Sequence, residues 1–287
     1  MAELLDDFLR RELKTRPHLV GRGILPAGGK AILGGVPKSN KSWIALNIGL
    51  DIALGRDLFG ARYANGTPVF PVPEAARVLY LEQEIGEHTL QRRLQTLMIG
   101  KVPDGNLEEV EFFVKTKDMK MRMDNEEGIA AILAEVESVM PRLLILDPLA
   151  KFHLMGENSA QEMGAVLRFG DVLCERFGTA LLYVHHTSKP NEEYPRRGGD
   201  RLRGSSAIFA DVDTCIIVGR KGADSVKEPI LDLDFELRCG EPLENIRVKR
   251  LVDGSIIYAP DEAPQGGPMI RHRRGGQKFA VDQLTEV

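Results

Sequence analysis

Apolar residues in this chain gather into short runs rich in aliphatic and β-branched side chains, and the stretches between the runs carry helical spacing. The runs predict strands at Lys30–Leu33, Arg77–Leu81, Val110–Val114, Leu143–Leu146 and Ala180–Val184. The intervening spacing predicts helices at Ser42–Leu54, His88–Met98, Glu126–Met140 and Gln161–Phe177. Strands alternating with helices argue an α/β fold with a mainly parallel sheet flanked by helices. Beyond residue 200 the rhythm changes. Val212–Val218, Ile230–Leu237, Asn245–Leu251 and Ser255–Tyr258 read as consecutive strands, an antiparallel extension of the sheet in the C-terminal third. Its turns fall at Arg220–Gly222, Gly240–Pro242 and Asp253–Gly254. No internal repeat is evident.

The first residues, MAELLDDFLRRELK, read as a charged amphipathic helix without the unbroken apolar centre of a secretory signal. Three parts are expected: an N-terminal helix or arm over 1–20, one globular unit over 21–260, and a basic, flexible tail over 261–287. With 43% hydrophobic and 28% charged residues, the composition is that of a soluble globular protein. No apolar run approaches the roughly 18 residues that span a bilayer, so no membrane association is expected. Three cysteines, Cys174, Cys215 and Cys239, lack any C-x-x-C spacing; a reducing, cytoplasmic setting is expected, without disulfides or structural zinc.

Charge changes the picture only locally. The net charge of −4 gives no bulk attraction for nucleic acid. Yet Arg196, Arg197, Arg201 and Arg203 crowd one polar, Gly- and Pro-containing segment, and Arg271, His272, Arg273, Arg274 and Lys278 crowd the tail. Either group could meet phosphates, or simply be solvated.

Chemistry enters at GVPKSNKS, residues 35–42. The phosphate-loop pattern is G-x-x-x-x-G-K-[ST], and Asn40 stands where the second glycine belongs. A strand before it and a helix after it supply the required setting, in which backbone N–H groups and a helix N-terminus meet phosphate. Gly35, Val36, Pro37, Lys38, Ser39, Asn40, Lys41, Ser42 and Trp43 are therefore the candidate nucleotide-binding residues, with Lys41 at the β- and γ-phosphates and Ser42 on Mg²⁺. Asn tolerates left-handed backbone better than most residues, which makes it the least damaging replacement for that glycine.

Asp147 ends the apolar run Leu143–Leu146, as a carboxylate that orients Mg²⁺ and its waters would. Glu82 and Glu84 follow the strand Val78–Leu81 and are candidates for polarising an attacking water, although Glu82 reads more naturally as a cap of the next helix. The run ending at Val184 leads into His185, His186, Thr187, Ser188 and Lys189. Adjacent histidines on a strand face opposite ways and make poor joint metal ligands, but one of them could sense a γ-phosphate.

Together these segments resemble RecA-like ATPases of the hexameric replicative helicase branch, closest to plasmid RepA-type helicases and related phage and mobile-element ATPases. The resemblance rests on GVPKSNKSW, VLYLEQEIGEHTLQRRL, LLILDPLAKFH with GEN following, LLYVHHTSK, RGSSAIFADVD and LDFELR, in that order, over about Gly21 to Tyr258. It implies an ATP- and Mg²⁺-dependent core with an active site shared between subunits of a homo-oligomer, a hexameric ring. It places catalytic roles on Lys41, Glu84 and His186, and metal roles on Ser42 and Asp147. A neighbour's arginine completes such sites. RepA-type helicases carry one near the position of Asp213, which this chain lacks; Arg238 is the first candidate here and Arg203 the second.

The expected function is an Mg²⁺-dependent ATPase coupling hydrolysis to single-stranded DNA binding and translocation, with the segment around Pro190–Arg203, including Tyr194, as the DNA-tracking loop. The alternative is a regulatory or recombination-mediator protein that assembles with nucleotide, contacts replication or recombination proteins and does not unwind DNA. A third reading, a binder without hydrolysis, rests on Asn40 alone.

Overall fold

A computed structural model describes residues 3–12, 17–118, 120–157, 159–187, 202, 206–220 and 227–260. The basic segment with Arg196, Arg197, Arg201 and Arg203, together with Lys189, Tyr194 and the 261–287 tail, lies outside the described residues.

Helix α1 (Leu5–Arg10) buries none of its residues, and the chain is already extended at Arg11. Strands β1 (His18–Val20) and β2 (Leu25–Pro26) pair as a small antiparallel sheet, with Leu19 and Val20 in the core. Among the described residues burial therefore begins at Leu19, His18 being exposed.

Strand β3 (Lys30–Gly35) leads into helix α2 (Lys41–Ala53); then come β4 (Val78–Glu82), α3 (Glu87–Lys101), β5 (Phe112–Thr116), α4 (Glu126–Val139), β6 (Leu143–Asp147), α5 (Ala160–Phe177) and β7 (Ala180–His186). A short α6 (Ser206–Asp211) precedes β8 (Thr214–Arg220), β9 (Ile230–Leu237), β10 (Ile246–Arg250) and β11 (Ile256–Tyr258). Among the described residues the main sheet has nine strands in the order β11-β10-β9-β8-β3-β7-β6-β4-β5. From β8 to β5 neighbours are parallel; β9, β10 and β11 join antiparallel. This is the expected RecA-like α/β architecture with its antiparallel extension.

Alternation along the strands divides the core. Ala31 and Leu33 face the layer of α2 and α3, while Ile32 faces the layer of α4 and α5. The central strands are buried on both faces, which is why they read as continuous apolar runs rather than alternating ones. Among the strands that run past the expected ends, β4, β6 and β7 reach Glu82, Asp147 and His186, so polar residues at their carboxyl ends remain in the ladder. Among the described residues no helix is long and apolar enough to cross a membrane.

Helix α2 is the best-buried helix, with only Ser42 and Trp43 outside the buried set. Gly49 sets its approach to the sheet: a Cβ there would lie 2.8 Å from Phe112 Cε2 and 2.9 Å from Ile145 Cδ1. Asn47 fastens the other side, donating to Trp43 O at 2.8 Å and Gly254 O at 3.0 Å and accepting from Ile256 N–H at 2.9 Å. Gly49→Leu should therefore lift α2 from the sheet and destabilise the fold by about 1–3 kcal/mol. The measurement is a denaturant titration, in which the midpoint falls while the slope stays constant.

Candidate functional site

The end of β3 turns back on itself before α2 begins. A Cβ on Gly35 would lie 2.5 Å from Ser39 Oγ, so only glycine leaves room for the loop to fold over the strand. Lys38 and Asn40 take left-handed backbone, at φ 63° and φ 69°. Asn40 thus holds the conformation for which the pattern uses glycine. Its side chain does not cap α2; its Oδ1 instead accepts a hydrogen bond from Arg250 Nη1 at 2.9 Å.

Lys41 is buried and curls across the loop, donating from Nζ to Gly35 O at 2.9 Å and Val36 O at 3.0 Å. Burial pushes its ammonium down from the ordinary lysine range, and the charges of Asp147 and Glu84 oppose that shift. Both carboxylates are therefore within electrostatic reach of Lys41. Ser39 Oγ is buried without a hydrogen-bond partner among the described residues. An orphaned hydroxyl and a lysine satisfied only by its own loop fit a site built for phosphate oxygens.

The carboxyl ends of three other strands converge here. His186 stands opposite Gly35 on β7, and Thr187 N–H donates to Gly35 O at 3.1 Å. Val184 packs on the α2 side, so His186, two residues on, shares that side while the fully buried His185 faces the other. By the same alternation Ile145 carries Asp147, and Tyr80 carries Glu82, to the α2 side. Strand β4 is not a neighbour of β3; β7 and β6 lie between them. Helix α2 packs across β7, β6 and β4, and this brings Lys41 near residues from strands that its own strand never touches.

Asp147 is 2% exposed. Its carboxyl is pushed up from 3.8 to about 6, chiefly by burial; hydrogen bonds from Tyr80 and Ser42 pull it down, and the charges of Glu82 and Glu84 push it up further. The Tyr80 hydroxyl donates to Asp147 Oδ2. Glu82 and Glu84, two residues apart, have different fates. Glu82 is buried and accepts from the N–H groups of Glu84 at 2.6 Å, Ile85 at 2.5 Å and Gly86 at 2.9 Å, which makes it the cap of the turn leading into α3. Glu84 is left exposed at the mouth of the site.

Trp43 is partly buried against the core on the α2 side, with Arg93 5.1 Å and Arg250 5.4 Å from its ring centroid. Arg238 is not brought to the loop within the chain. It follows β9 beside Thr214, at the end of the sheet away from Gly35 by roughly 15 Å of strand. Its guanidinium donates to Ala210 O and lies 3.7 Å from Asp213. Arg203 lies outside the described residues.

Tyr80, Asn47 and Arg250 have no part in the motif-based expectation. Tyr80 had a visible signal, a hydroxyl-bearing side chain two residues before Glu82 in an otherwise aliphatic run. Arg250 had none, because its partner is 210 residues away.

Among the described residues no trio of His, Cys, Asp or Glu is grouped to hold a metal alone. A hard cation of the Mg²⁺ type needs no such trio, since it binds through one or two protein oxygens together with substrate phosphates. The Ser42 hydroxyl and the Asp147 carboxylate, close enough for the hydroxyl to hold the carboxyl down, are oxygen donors suited to it.

A raised carboxyl has a sign for stability. The folded chain holds the Asp147 proton more tightly than an unfolded one, so this contribution is fully present below about pH 4 and is lost as pH rises through about 6. Above that, the ionised group costs the ligand-free fold on the order of 3 kcal/mol. Asp147→Asn should therefore raise stability at pH 8 and much less at pH 4.5. Denaturant titrations at both pH values check this, and equal gains at both would refute it.

A family model described as an AAA domain matches residues 1–192. No curated protein matches the chain significantly. Among solved structures, a KaiC-like protein from the hyperthermophilic archaeon Pyrococcus horikoshii OT3 superposes with a TM-score of 0.54 at 12% identity, covering 86% of this chain and 99% of that one. At that identity the likeness speaks for the fold, which is RecA-like. With the family match covering residues 1–192 of 287, the chain belongs to the AAA domain family and has the fold of a RecA-like P-loop ATPase.

Proposed function

We propose that the protein is an Mg²⁺-dependent ATPase of the replicative-helicase type, working as a homo-oligomeric ring on single-stranded DNA, with residues 21–260 as the ATPase unit. One observation carries the reading: Lys41, Ser42, Asp147, Glu84 and His186 meet at the carboxyl ends of four parallel strands, around a loop whose lysine and Ser39 hydroxyl lack external partners. Phosphate oxygens would replace Gly35 O and Val36 O as the acceptors for Lys41, so binding exchanges internal hydrogen bonds for charge-assisted ones. Ser42 and Asp147 would hold Mg²⁺, which supplies charge neutralisation at the phosphates. Glu84, exposed and near Lys41, is placed to accept a proton from an attacking water. His186, beside Gly35 on the neighbouring strand, is placed to register the terminal phosphate.

Coupling to DNA has a structural route. The segment between Thr187 and Leu202 leaves and rejoins the fold at an antiparallel bridge between those two residues. Leu202 packs on the loop strand, since a Cβ on Gly34 would lie 2.6 Å from its Cδ2. His186 is therefore next to Thr187, at the base of the stretch that holds the proposed DNA-tracking loop around Pro190–Arg203. For the trans arginine, Arg238 is favoured by its place against Asp213, the position near which the resembled helicases carry theirs.

ATP turnover by the parent and by Lys41→Ala, each with and without single-stranded DNA, tests this reading. The parent should be stimulated by DNA, and Lys41→Ala should lose about a hundredfold or more of its turnover. Undiminished turnover in Lys41→Ala would remove the site assignment. Turnover indifferent to DNA would favour the nucleotide-assembled regulator. Mixing Arg238→Ala with Glu84→Gln subunits should recover activity, because a ring then contains some sites with both groups intact; a mixture no better than its parts would exclude Arg238 as the trans group.

A further inference from the structure

Arg250 reaches the phosphate loop from the far side of the sheet extension. It ends β10 opposite Ile256 of β11, and its N–H donates to Pro229 O at 3.1 Å on the β9 side, so its backbone is held from both sides. That hairpin is itself fastened to α2, through the hydrogen bonds of Asn47 to Gly254 O and Ile256 N–H and through close packing of Gly254 on the Trp43 ring. From this mount the guanidinium donates Nη1 to Asn40 Oδ1 at 2.9 Å and lies over Trp43. Arginine can do both at once because its planar fork donates in-plane while its face stacks; a lysine ammonium cannot.

Asn40 solves half of the problem left by the missing glycine, since its backbone takes the left-handed turn. The other half is the side chain, which glycine would not have and which stands where phosphate must come close. We propose that Arg250 is a positioning residue that holds the Asn40 carboxamide on the hairpin side, away from the phosphates. The Asn40–Arg250 pair thereby does together what a single glycine does in the standard loop. It also ties the geometry of the loop to the β10–β11 hairpin, which the motif alone never touches. This inference rests on the loop being the nucleotide site.

A double-mutant cycle on the full chain separates the possibilities: parent, Arg250→Ala, Asn40→Gly and the double variant, each titrated with Mg²⁺ and ATP and assayed for turnover. Arg250→Ala should weaken ATP binding by about tenfold, the scale of one charge-assisted hydrogen bond. In the Asn40→Gly background the same substitution should weaken it by less than about twofold, because no side chain remains to be held. The effect should fall on KM rather than on turnover at saturation. Equal losses in both backgrounds would overturn the proposal, since Arg250 would then act on the ligand directly or only through the hairpin. If Arg250→Ala does not fold, Arg250→Lys carries the same cycle, with a smaller loss expected in the parent background and the same criterion. Lys41→Ala serves as the independent check: undiminished ATP affinity there would mean that the nucleotide site itself is misplaced, whatever the cycle shows.

Discussion

Everything at the site depends on where one helix is pinned. Eleven of the thirteen residues of α2 are buried, an arrangement found for helices enclosed on all sides rather than laid on a surface. Gly49 lets it lie close to the sheet, Asn47 ties it to the hairpin, and Asp51 near its far end pairs with Lys101 in a buried ion pair. A loop of five residues, 36–40, is floppy by itself. Here its downstream end is the first turn of a helix that cannot slide or tilt without opening the core. The precision of the phosphate loop is thus borrowed from packing well away from any phosphate.

The same placement explains why charges separate across the site. On one side stand backbone amides, a helix N-terminus and Lys41, all favouring an anion; on the other stand Asp147, Glu82 and Glu84. Neither a bare anion nor a bare cation satisfies both sides. A phosphate chain carrying its own divalent metal would satisfy both. Glu82 is withdrawn from this field by three backbone N–H groups, which leaves Glu84 as the carboxylate at the mouth.

Much of this could be read from the chain. The alternation of strands and helices gave the parallel sheet, because two-sided burial leaves continuous apolar runs that are easy to see. Strand ends were harder: Glu82, Asp147 and His186 look like the start of loops, yet they pair in the ladder, since chemistry in such sheets is carried on the last rung. Chain order alone does not tell how far β4 lies from the loop strand. In the structure two strands intervene, and the crossing of α2 closes the gap. The small β1–β2 sheet was invisible, its strands being too short for any period to register. Arg250 and Asn47 were invisible for a different reason: they act through partners distant in the chain, and no local pattern encodes a contact across 210 residues.

One last feature is the bridge between Thr187 and Leu202. It brings Thr187 and Leu202 together at the end of β7, both of them buried and both against Gly34. Closing a longer or shorter loop on a fixed base changes the entropy of folding only slowly with length. The fold therefore tolerates a change in the number of residues between Thr187 and Leu202 at small entropic cost, with the bridge itself left in place.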